Sequence, residues 1–239
     1  MRFPQPLRRG RLVSRYKRFS ADVVLDDEGP VTAHVANSGK MLGLLDPGNV
    51  CWVSRSEIAT RKLPWTVELI EEPSGALVGV NTMLPNRIAA EAIVAGAIAE
   101  LAGYPVLRRE VRYGANSRID ILLEDDNRPP AWVEVKNVHL LRRPGLYEFP
   151  DCVTARGLKH LGELGERAEA GDRAVMLFCV QRGDGAAFET APDCDPAYAR
   201  GLLEAAHRGV EVLCYDCSVA PDGITLRRRV PWLSDPAES

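Results

Sequence analysis

The pattern of hydrophobic and polar positions divides this chain near residue 83. Before that point, short runs alternate apolar and polar residues, which is typical of strands that bury one face. Turn-forming residues separate the runs at residues 26–29, 37–39, 46–48 and 73–75. The predicted strands cover residues 11–17, 21–25, 32–35, 49–53 and 66–72. About five short strands in so short a segment predict a small β-barrel, and an OB-like barrel is one candidate.

After that point, strands and helices alternate. Asn86 is expected to cap a helix from residue 87 to about 102, which Gly103 would close. Further helices are expected at residues 154–170 and 196–208, and strands at residues 106–113, 118–123, 131–138, 174–180, 211–215 and about 224–230. We therefore predict an OB-like β-barrel over residues 1–82 and an α/β (α+β) domain over residues 83–239, with a mixed central sheet flanked by helices.

Composition narrows the class of protein. The 239 residues are 46% hydrophobic and 26% charged, which is ordinary for a water-soluble globular chain. No apolar run approaches the roughly 18–20 residues that a membrane span needs, and the basic N-terminus lacks the apolar stretch of a secretory signal. We therefore expect a cytoplasmic protein without a membrane partner. The oligomeric state stays open, with a homodimer as one option.

Six cysteines fit that expectation. Cys214 and Cys217 form one C-x-x-C pair, whereas a structural zinc site needs a second pair or nearby histidines. Of the histidines, His207 is the one close in sequence. We therefore predict reduced and partly buried thiols.

The N-terminal segment is strongly basic although the net charge of the chain is −3. Residues 1–18 contain no acid and include Arg15, Lys17 and Arg18, which we take as candidates for contact with nucleic acid. Such a cluster attracts phosphate whatever the net charge. The alternative is a basic tail that is merely solvated.

Two predicted strands carry the residues with the clearest chemistry. Alternation places Asp120 on the face opposite Ile119 and Ile121, and it places Glu134 and Lys136 together on one face. A hairpin roughly symmetric about residue 127 would bring Asp120 opposite Glu134, at about 4.5–5.5 Å between neighbouring strands. Two carboxylates that close repel each other unless a cation lies between them. The pattern therefore predicts a site for Mg²⁺ or Mn²⁺, which take carboxylate oxygens and engage phosphate.

Two further residues extend this site. Lys136 could orient or deprotonate an attacking water and stabilise charge on a phosphate. Glu91 follows Ile88 by three positions and precedes Ala95 by four, so it is expected to point inward and to supply a third carboxylate. The alternative is chance, because acids and lysines at this spacing occur in many proteins.

The predicted helix 154–170 begins with a basic face. Arg156, Lys159 and His160 fall on one side of its first two turns, and its free N–H groups lie beside Thr154. This arrangement is typical of a phosphate contact, although an exposed polar face would look the same. Gln181 directly follows a buried strand, where polar residues often face a site.

Several segments together resemble the sugar fermentation stimulation protein family of bacteria and archaea. They are residues 34–41 (HVANSGKM), 113–120 (YGANSRID), 133–138 (VEVKNV), 149–151 (FPD), 154–161 (TARGLKHL) and 180–182 (VQR). The resemblance implies an N-terminal OB-like domain and a C-terminal domain of the PD-(D/E)xK nuclease type. It also implies DNA binding with little sequence preference and a proposed regulatory role in sugar (maltose) metabolism.

On the nuclease motif, the resemblance makes Asp120 and Glu134 the metal-binding acids, Lys136 the motif lysine and Glu91 the helical acid. Ile119 stands where the motif's name has proline. Two functions follow as hypotheses: a Mg²⁺-dependent nuclease that cleaves phosphodiesters, or a DNA-binding regulator without catalysis.

Overall fold

The computed structural model describes residues 1–113 and 117–233. Residues 114–116 of one quoted motif and residues 234–239 of the predicted second domain lie outside this part. The first domain is built from six strands: β1 (Arg8–Tyr16), β2 (Ser20–Leu25), β3 (Gly29–His34), β4 (Val50–Arg55), β5 (Trp65–Glu71) and β6 (Leu77–Gly79).

Five of these strands close into a barrel. Antiparallel pairing runs in the order β3-β2-β1-β4-β5, and β5 then pairs in parallel with β3 through Ala33–Trp65 and His34–Thr66. The inward positions form one apolar core that includes Leu12, Val23 and Val67. The prediction of an OB-like barrel is confirmed, and β6 adds to the far side of β5. The sequence pattern missed β6 because three residues are too few to show alternation.

The second domain contains a mixed sheet between helices. Its elements are α1 (Pro85–Val94), β7 (Val106–Tyr113), β8 (Ser117–Asp125), β9 (Arg128–Val138), β10 (Leu140–Arg143), β11 (Leu146–Phe149), α2 (Ala155–Glu169), β12 (Arg173–Val180), β13 (Ala187–Thr190), α3 (Pro196–His207), β14 (Glu211–Ala220) and β15 (Gly223–Arg229). The main sheet has the order β15-β14-β12-β9-β8-β7, with β12 parallel to β9 and to β14. The predicted α/β class is therefore confirmed.

Each face of the main sheet buries its own apolar cluster. On one face, Ile88 of α1 packs in a cluster with Val133 and Leu177 of the sheet. On the other face, Leu164 of α2 packs in a cluster with Met176 and Phe178. A small sheet of β10, β11 and β13 lies beside the main one. Its four-residue strands were missed for the same reason as β6.

The helix predicted from residue 87 to about 102 is wrong in length and in its cap. It ends at Val94, and Gly96 then adopts a positive φ of 71° that side chains disfavour. A separate 3-10 turn follows at Ala99–Leu101. Leu84 occupies the N-cap position, because the side chain of Asn86 is used elsewhere.

The first residues of the chain pack on the second domain. The amide of Phe3 donates to Asp222, and the amide of Ile224 donates to the carbonyl of Met1. Arg2 forms a bridge with Gly223 at the start of β15. The first three residues, which the sequence assigns to the first domain, therefore contact the second domain beside β15.

The two domains share buried polar contacts. Arg182, which is fully buried, donates to Glu72 at the end of the barrel strand β5 (2.9 Å) and to the carbonyl of His139 (2.9 Å). The amide of Gly79 donates to the carbonyl of Gln181 at 2.7 Å. These contacts fix the barrel against the carboxyl end of β12.

The cysteines form no disulfide among the described residues. Cys214 packs in the cluster beneath α2, whereas Cys217 packs in the cluster beneath α1, so the C-x-x-C pair lies on opposite faces of the sheet. Free thiols were expected, and the structure agrees. Across residues 1–113 and 117–233, no helix has the length and apolar character that crossing a membrane would require.

Candidate functional site

The hairpin of β8 and β9 has the predicted register. Ile121 pairs with Val133 and Leu123 with Ala131, so both pairs are symmetric about residue 127. One detail differs from the expected alternation. Ile119 packs in the cluster beneath α2, whereas Ile121 packs in the cluster beneath α1, so strict alternation ends just where Asp120 stands.

Asp120 stands within β8 and contacts the start of α1. Its Oδ2 accepts the backbone N–H of Val135 at 2.8 Å, and its Oδ1 accepts the side-chain amide of Asn86 at 2.6 Å. Burial and the nearby charge of Glu134 raise the pKa of Asp120 to about 6, although these hydrogen bonds and Lys136 oppose the rise. The two carboxylates are therefore close enough to repel each other.

Glu134 is the most deeply buried acid of this group, with 3% of its side chain exposed. Its Oε1 accepts from Lys136 Nζ at 2.7 Å and contacts Nδ1 of His160. Burial alone would raise the pKa of Glu134, but the hydrogen bonds from His160 and Lys136 and the charge of Lys136 lower it. Its Oε2 is buried and has no hydrogen-bond partner within the part of the chain that the structure describes.

His160 supports Glu134 from α2. Arg156 Nε lies 3.4 Å from His160 Nε2, and because a guanidinium can only donate, that ring nitrogen accepts. The prediction that His160 belongs to an exposed basic face is wrong, since it is 4% exposed and shares the buried stripe of α2 with Leu161 and Leu164.

The donor set fits a hard divalent cation. Asp120 and Glu134 lie together, and an unpaired, buried carboxylate oxygen is costly unless a cation or a proton satisfies it. No group of three or more His, Cys, Asp or Glu residues that could hold a metal occurs among residues 1–113 and 117–233. Two protein carboxylates suit Mg²⁺, which keeps several waters and takes the rest of its oxygens from substrate.

The expectation that Glu91 adds a third carboxylate is wrong. Its side chain is 45% exposed, and it pairs with Arg87 Nε at 2.8 Å and with the amine of Met1 at 3.0 Å. The buried face of α1 consists of Pro85, Ile88, Ala89, Ala92 and Ile93, which leaves Glu91 at its edge. The N-terminal residues pack over that edge, where the amine of Met1 forms its ion pair with Glu91.

Three residues expected to contact nucleic acid make structural hydrogen bonds or are buried. Arg15 donates to the carbonyls of Asn37 and Gly39 at 2.7 and 2.9 Å, so its guanidinium holds a loop of the barrel. Thr154 caps α2, its hydroxyl accepting from the amide of Gly157 at 3.2 Å. Gln181 is fully buried between the two domains. Arg15 and Thr154 nevertheless remain partly exposed, and Arg15 lines the same surface cavity as Lys17 and Arg18.

The other expected contacts are at the surface. Lys17 and Arg18 form the exposed turn between β1 and β2, and with Lys40 and Cys152 they line a cavity of about 420 Å³. Arg156 is exposed at the start of α2. Lys159 is 51% exposed, although its Nζ also lies 3.0 Å from Ser117 Oγ.

The basic segment 1–18 is not a tail. Residues from Arg8 onward form β1, and Arg8 pairs with Asp27 while Arg9 pairs with Asp26 at 3.0 Å. The acids that neutralise these arginines come from the β2–β3 turn, which lies beside β1 because the strands are antiparallel. Within this segment Arg11, Arg15, Lys17 and Arg18 form no ion pair with another described residue, so the positive charge that acids leave unneutralised lies on these four side chains.

Comparisons with known proteins agree over nearly the whole chain. The family model described as the sugar fermentation stimulation protein RE domain matches residues 83–223, and the SfsA N-terminal OB domain matches residues 13–80. The chain belongs to the sugar fermentation stimulation protein family. This confirms the resemblance that the motifs indicated.

Two members of the family are similar to this chain over most of its length. A sugar fermentation stimulation protein homolog of Rhodospirillum centenum is 60% identical over 228 residues, which cover 95% of this chain and 97% of that protein. The homolog of Paramagnetospirillum magneticum is 59% identical over 226 residues, with 95% of each chain covered. The solved structure of Pyrococcus furiosus SfsA in complex with Ca²⁺ matches with a TM-score of 0.87 at 27% identity, over 98% of each chain.

A buried hydrogen-bond chain that joins the two domains was not anticipated. Gln181 Nε2 donates to Asn81 O (3.1 Å) and to Asn137 Oδ1 (2.6 Å), and Asn137 Nδ2 then lies 3.2 Å from His139 Nδ1. His139 Nε2 faces Asp151 Oδ2 at 3.4 Å, an ion-pair distance without the alignment of a good hydrogen bond. Asp151 Oδ2 accepts the amide of Met41 at 2.8 Å. Of these, Met41, Asn137, Asp151 and Gln181 stand in the segments that carry the family resemblance.

Two functional candidates were missed for different reasons. Asn86 was interpreted as a helix cap, although a polar residue next to the helix-starting Pro85 fits either role. Glu68 was passed over, although it is a carboxylate in a strand whose other residues up to Ile70 are all buried. The same signal, an acid within an apolar strand, was the one that identified Asp120 and Glu134.

Proposed function

We propose that this chain is a metal-dependent phosphodiesterase that binds DNA with little sequence preference and cleaves its backbone. The observation that carries this proposal is the buried Glu134 Oε2, which lacks a partner among the described residues and lies beside Asp120 and Lys136. Asp120 and Glu134 would hold a divalent cation such as Mg²⁺ or Mn²⁺. Such a cation would polarise a phosphoryl oxygen and lower the pKa of a bound water.

The protein's own residues have separate tasks. Lys136 keeps 15% of its side chain exposed while its Nζ touches Glu134, so it can reach a water or a phosphate at the site. His160 and Asn86 hold the two carboxylates in place. Arg156 and Lys159 at the start of α2, with Lys17 and Arg18 on the barrel, would contact the phosphate backbone, which positions a strand without reading its sequence.

A related structure that contains a hard cation also supports the proposal. The similar P. furiosus protein was solved in complex with Ca²⁺, a cation that takes oxygen ligands as Mg²⁺ does. Because the two folds match over 98% of both chains, we extend the binding of a divalent cation to this chain.

A cleavage assay with a matched lysine control tests the proposal. Purified protein is incubated with double-stranded and single-stranded DNA in Mg²⁺, Mn²⁺, Ca²⁺ or EDTA. Lys136→Ala is compared with Lys62→Ala, whose lysine is exposed in the loop between β4 and β5. We expect metal-dependent cleavage that Lys136→Ala slows by about 100-fold or more, as removal of a charge-stabilising group does, while Lys62→Ala has no effect. Equal cleavage by both variants, or cleavage that EDTA does not stop, would contradict it.

A second function is a DNA-binding regulator without catalysis, with the role in sugar (maltose) metabolism that the resemblance suggests. One observation favours it. Because Glu91 lies elsewhere, the site has two carboxylates, and one oxygen of Glu134 is already held by Lys136 and His160. This function predicts DNA affinity that falls steeply with salt and survives Asp120→Asn, without cleavage under any metal. Affinity that ignores salt would count against it.

A further inference from the structure

A cavity opens on the barrel where β3 and β5 pair in parallel. Its volume is about 660 Å³, within the usual range for sites that bind small molecules or parts of larger ones. The residues that give it chemical character are Phe19, His34, Ser54, Arg61, Glu68 and Asn81. It is distinct from the Asp120–Glu134 site, which those residues do not contact.

The cavity has a buried carboxylate in its wall. Glu68 is 6% exposed, its Oε1 accepts from Ser54 Oγ at 2.6 Å, and its Oε2 accepts from Asn81 Nδ2 at 2.8 Å. Each carboxylate oxygen can accept a second hydrogen bond, so both retain capacity towards a ligand. Burial raises the pKa of Glu68, with Ser54, Asn81 and Arg61 opposing the rise. An acid placed at that cost in an apolar strand is a candidate functional residue.

An aromatic ring lies at the mouth of the cavity. Phe19 is 43% exposed, and it stacks on His34 with the ring centroids 6.2 Å apart and the planes 29° from parallel. His34 Nδ1 in turn lies 3.1 Å from the carbonyl of Phe19, which holds the pair together. An exposed ring backed by a second ring is a stacking platform for a flat ligand. Arg61, held by Thr66 Oγ1 at 2.8 Å, adds a cation to the same cavity.

The cavity lies a short distance from the candidate metal site. Met83 is among its lining residues, and Asn86, three positions further along the chain, donates to Asp120. Three residues span at most about 11 Å. A nucleic-acid strand bound at the Asp120–Glu134 site would therefore need only a few nucleotides to reach the cavity.

We propose that this cavity binds one unpaired nucleobase of a nucleic-acid strand that continues to the Asp120–Glu134 site. Phe19 stacks on the face of the base, Glu68 accepts hydrogen bonds from its Watson–Crick edge, and Arg61 contacts the adjoining phosphate. Guanine fits best, because its edge presents two adjacent N–H donors to a carboxylate whereas thymine presents one. The strand's path rests on the proposed function, but occupation of the cavity can be measured separately.

Binding of short labelled oligonucleotides tests this subsite. The probes are an oligothymidylate, the same oligomer with one central dG, and a hairpin duplex, and anisotropy gives each Kd. The variants are Phe19→Ala and Glu68→Gln, with Val24→Ala as control because Val24 is an equally exposed barrel residue, at 43%. We expect the wild-type protein to prefer the dG oligomer by about tenfold, as a two-donor contact to a base edge provides.

The two variants have different expected effects. Phe19→Ala weakens binding of both single strands by about tenfold and leaves the duplex unchanged, because stacking is lost for any base. Glu68→Gln removes the preference for dG. Equal affinity of the wild-type protein for both oligomers, together with Phe19→Ala behaving like Val24→Ala, overturns the proposal. Phe19 is on the surface, so this result does not depend on whether Glu68→Gln folds.

Two further outcomes separate the alternatives. The first distinguishes a nucleobase subsite from a sugar site. The second distinguishes failure of the subsite proposal from failure of the phosphodiesterase proposal. If maltose raises the Tm of the wild-type protein but not of Glu68→Gln, and no oligonucleotide preference is seen, the cavity is a sugar site and the proposal is overturned. If the dG preference and its loss in Glu68→Gln are observed while no metal supports cleavage, the subsite stands and the phosphodiesterase proposal fails.

Discussion

Asp151 joins the two domains, and changing it to asparagine tests how much its charge contributes to stability. Its carboxylate accepts the amide of Met41 from the barrel and faces His139 of the second domain. Its side chain is 11% exposed, so solvent screens these contacts little. A Cβ on Gly39 would also collide with this carboxylate, which shows how closely the loop packs on it. Asparagine keeps the shape and removes the charge.

The magnitude follows from the pKa of Asp151. Burial alone would raise this pKa, but His139 and the Met41 amide outweigh it and lower the pKa from 3.8 to about 2. Each pKa unit corresponds to about 1.36 kcal/mol, so the ionised carboxylate stabilises the fold by about 2 kcal/mol. Because the folded pKa is the lower one, this stabilisation is complete above about pH 4 and is lost as the pH falls towards 2. The asparagine variant lacks this stabilisation at every pH.

Urea unfolding at several pH values measures the effect. We expect Asp151→Asn to lower the free energy of unfolding by about 2 kcal/mol at pH 7, and the difference from the wild-type protein to shrink steadily below pH 4. Asp126→Asn, an exposed change in the β8–β9 turn, is the control and should differ little at any pH. A loss of the same size at pH 7 and pH 2.5 would refute the reasoning, because it would arise from packing and not from charge.

Three other changes have defined outcomes. Gly79→Ala should lower the free energy of unfolding in urea by about 1–3 kcal/mol, because its Cβ would lie 2.7 Å from Oε1 of the fully buried Gln181. An unchanged midpoint of urea unfolding would mean that Gln181 can move. Leu164→Ala, which empties a fully buried position, should cost about 2–5 kcal/mol by the same measurement, and a loss under 1 kcal/mol would show that α2 collapses into the space. Mn²⁺ at about 100 times its Kd should stabilise the protein by about 2.7 kcal/mol, reversibly with EDTA, and Asp120→Asn should abolish the Tm increase; an equal increase in that variant would place the ion elsewhere.

Local patterns predicted the frame of the site. Alternation in β9 located Glu134 and Lys136, and the polar turn about residue 127 gave the register that associates Asp120 with Glu134, because a hairpin fixes which residues oppose each other. Glu91 could not be placed in this way. Its assignment assumed a long helix, whereas α1 ends at Val94, and the N-terminal residues supply its cation from the far end of the sequence.

Contacts between distant segments were beyond the sequence pattern. Gln181 reaches the carbonyl of Asn81, 100 positions earlier, so a polar residue at a strand end joins two domains here and faces no solvent. His160 likewise lies in a helix whose polar and apolar stripes predict an exposed cation, yet Glu134 lies opposite and offers a carboxylate. In both cases the partner is a buried polar group on another element, which periodicity along one element does not reveal.

The site is supported from both sides of the main sheet, by Asn86 of α1 and by His160 of α2. Each of these two supports is also connected to the barrel. Asn86 reaches Asp120 from α1, and the segment before it includes Asn81, which Gln181 and Glu68 both bond. On the other side, the chain runs from Asp151, which holds the barrel loop at Met41, through four residues to Arg156 and then to His160. A shift of the barrel would therefore reach both carboxylates through short, hydrogen-bonded segments. Under the proposed function, Asp151→Asn should therefore weaken DNA binding and cleavage as well as the fold. Leu164→Ala, whose side chain lies outside both segments, should cost stability with little change in either activity.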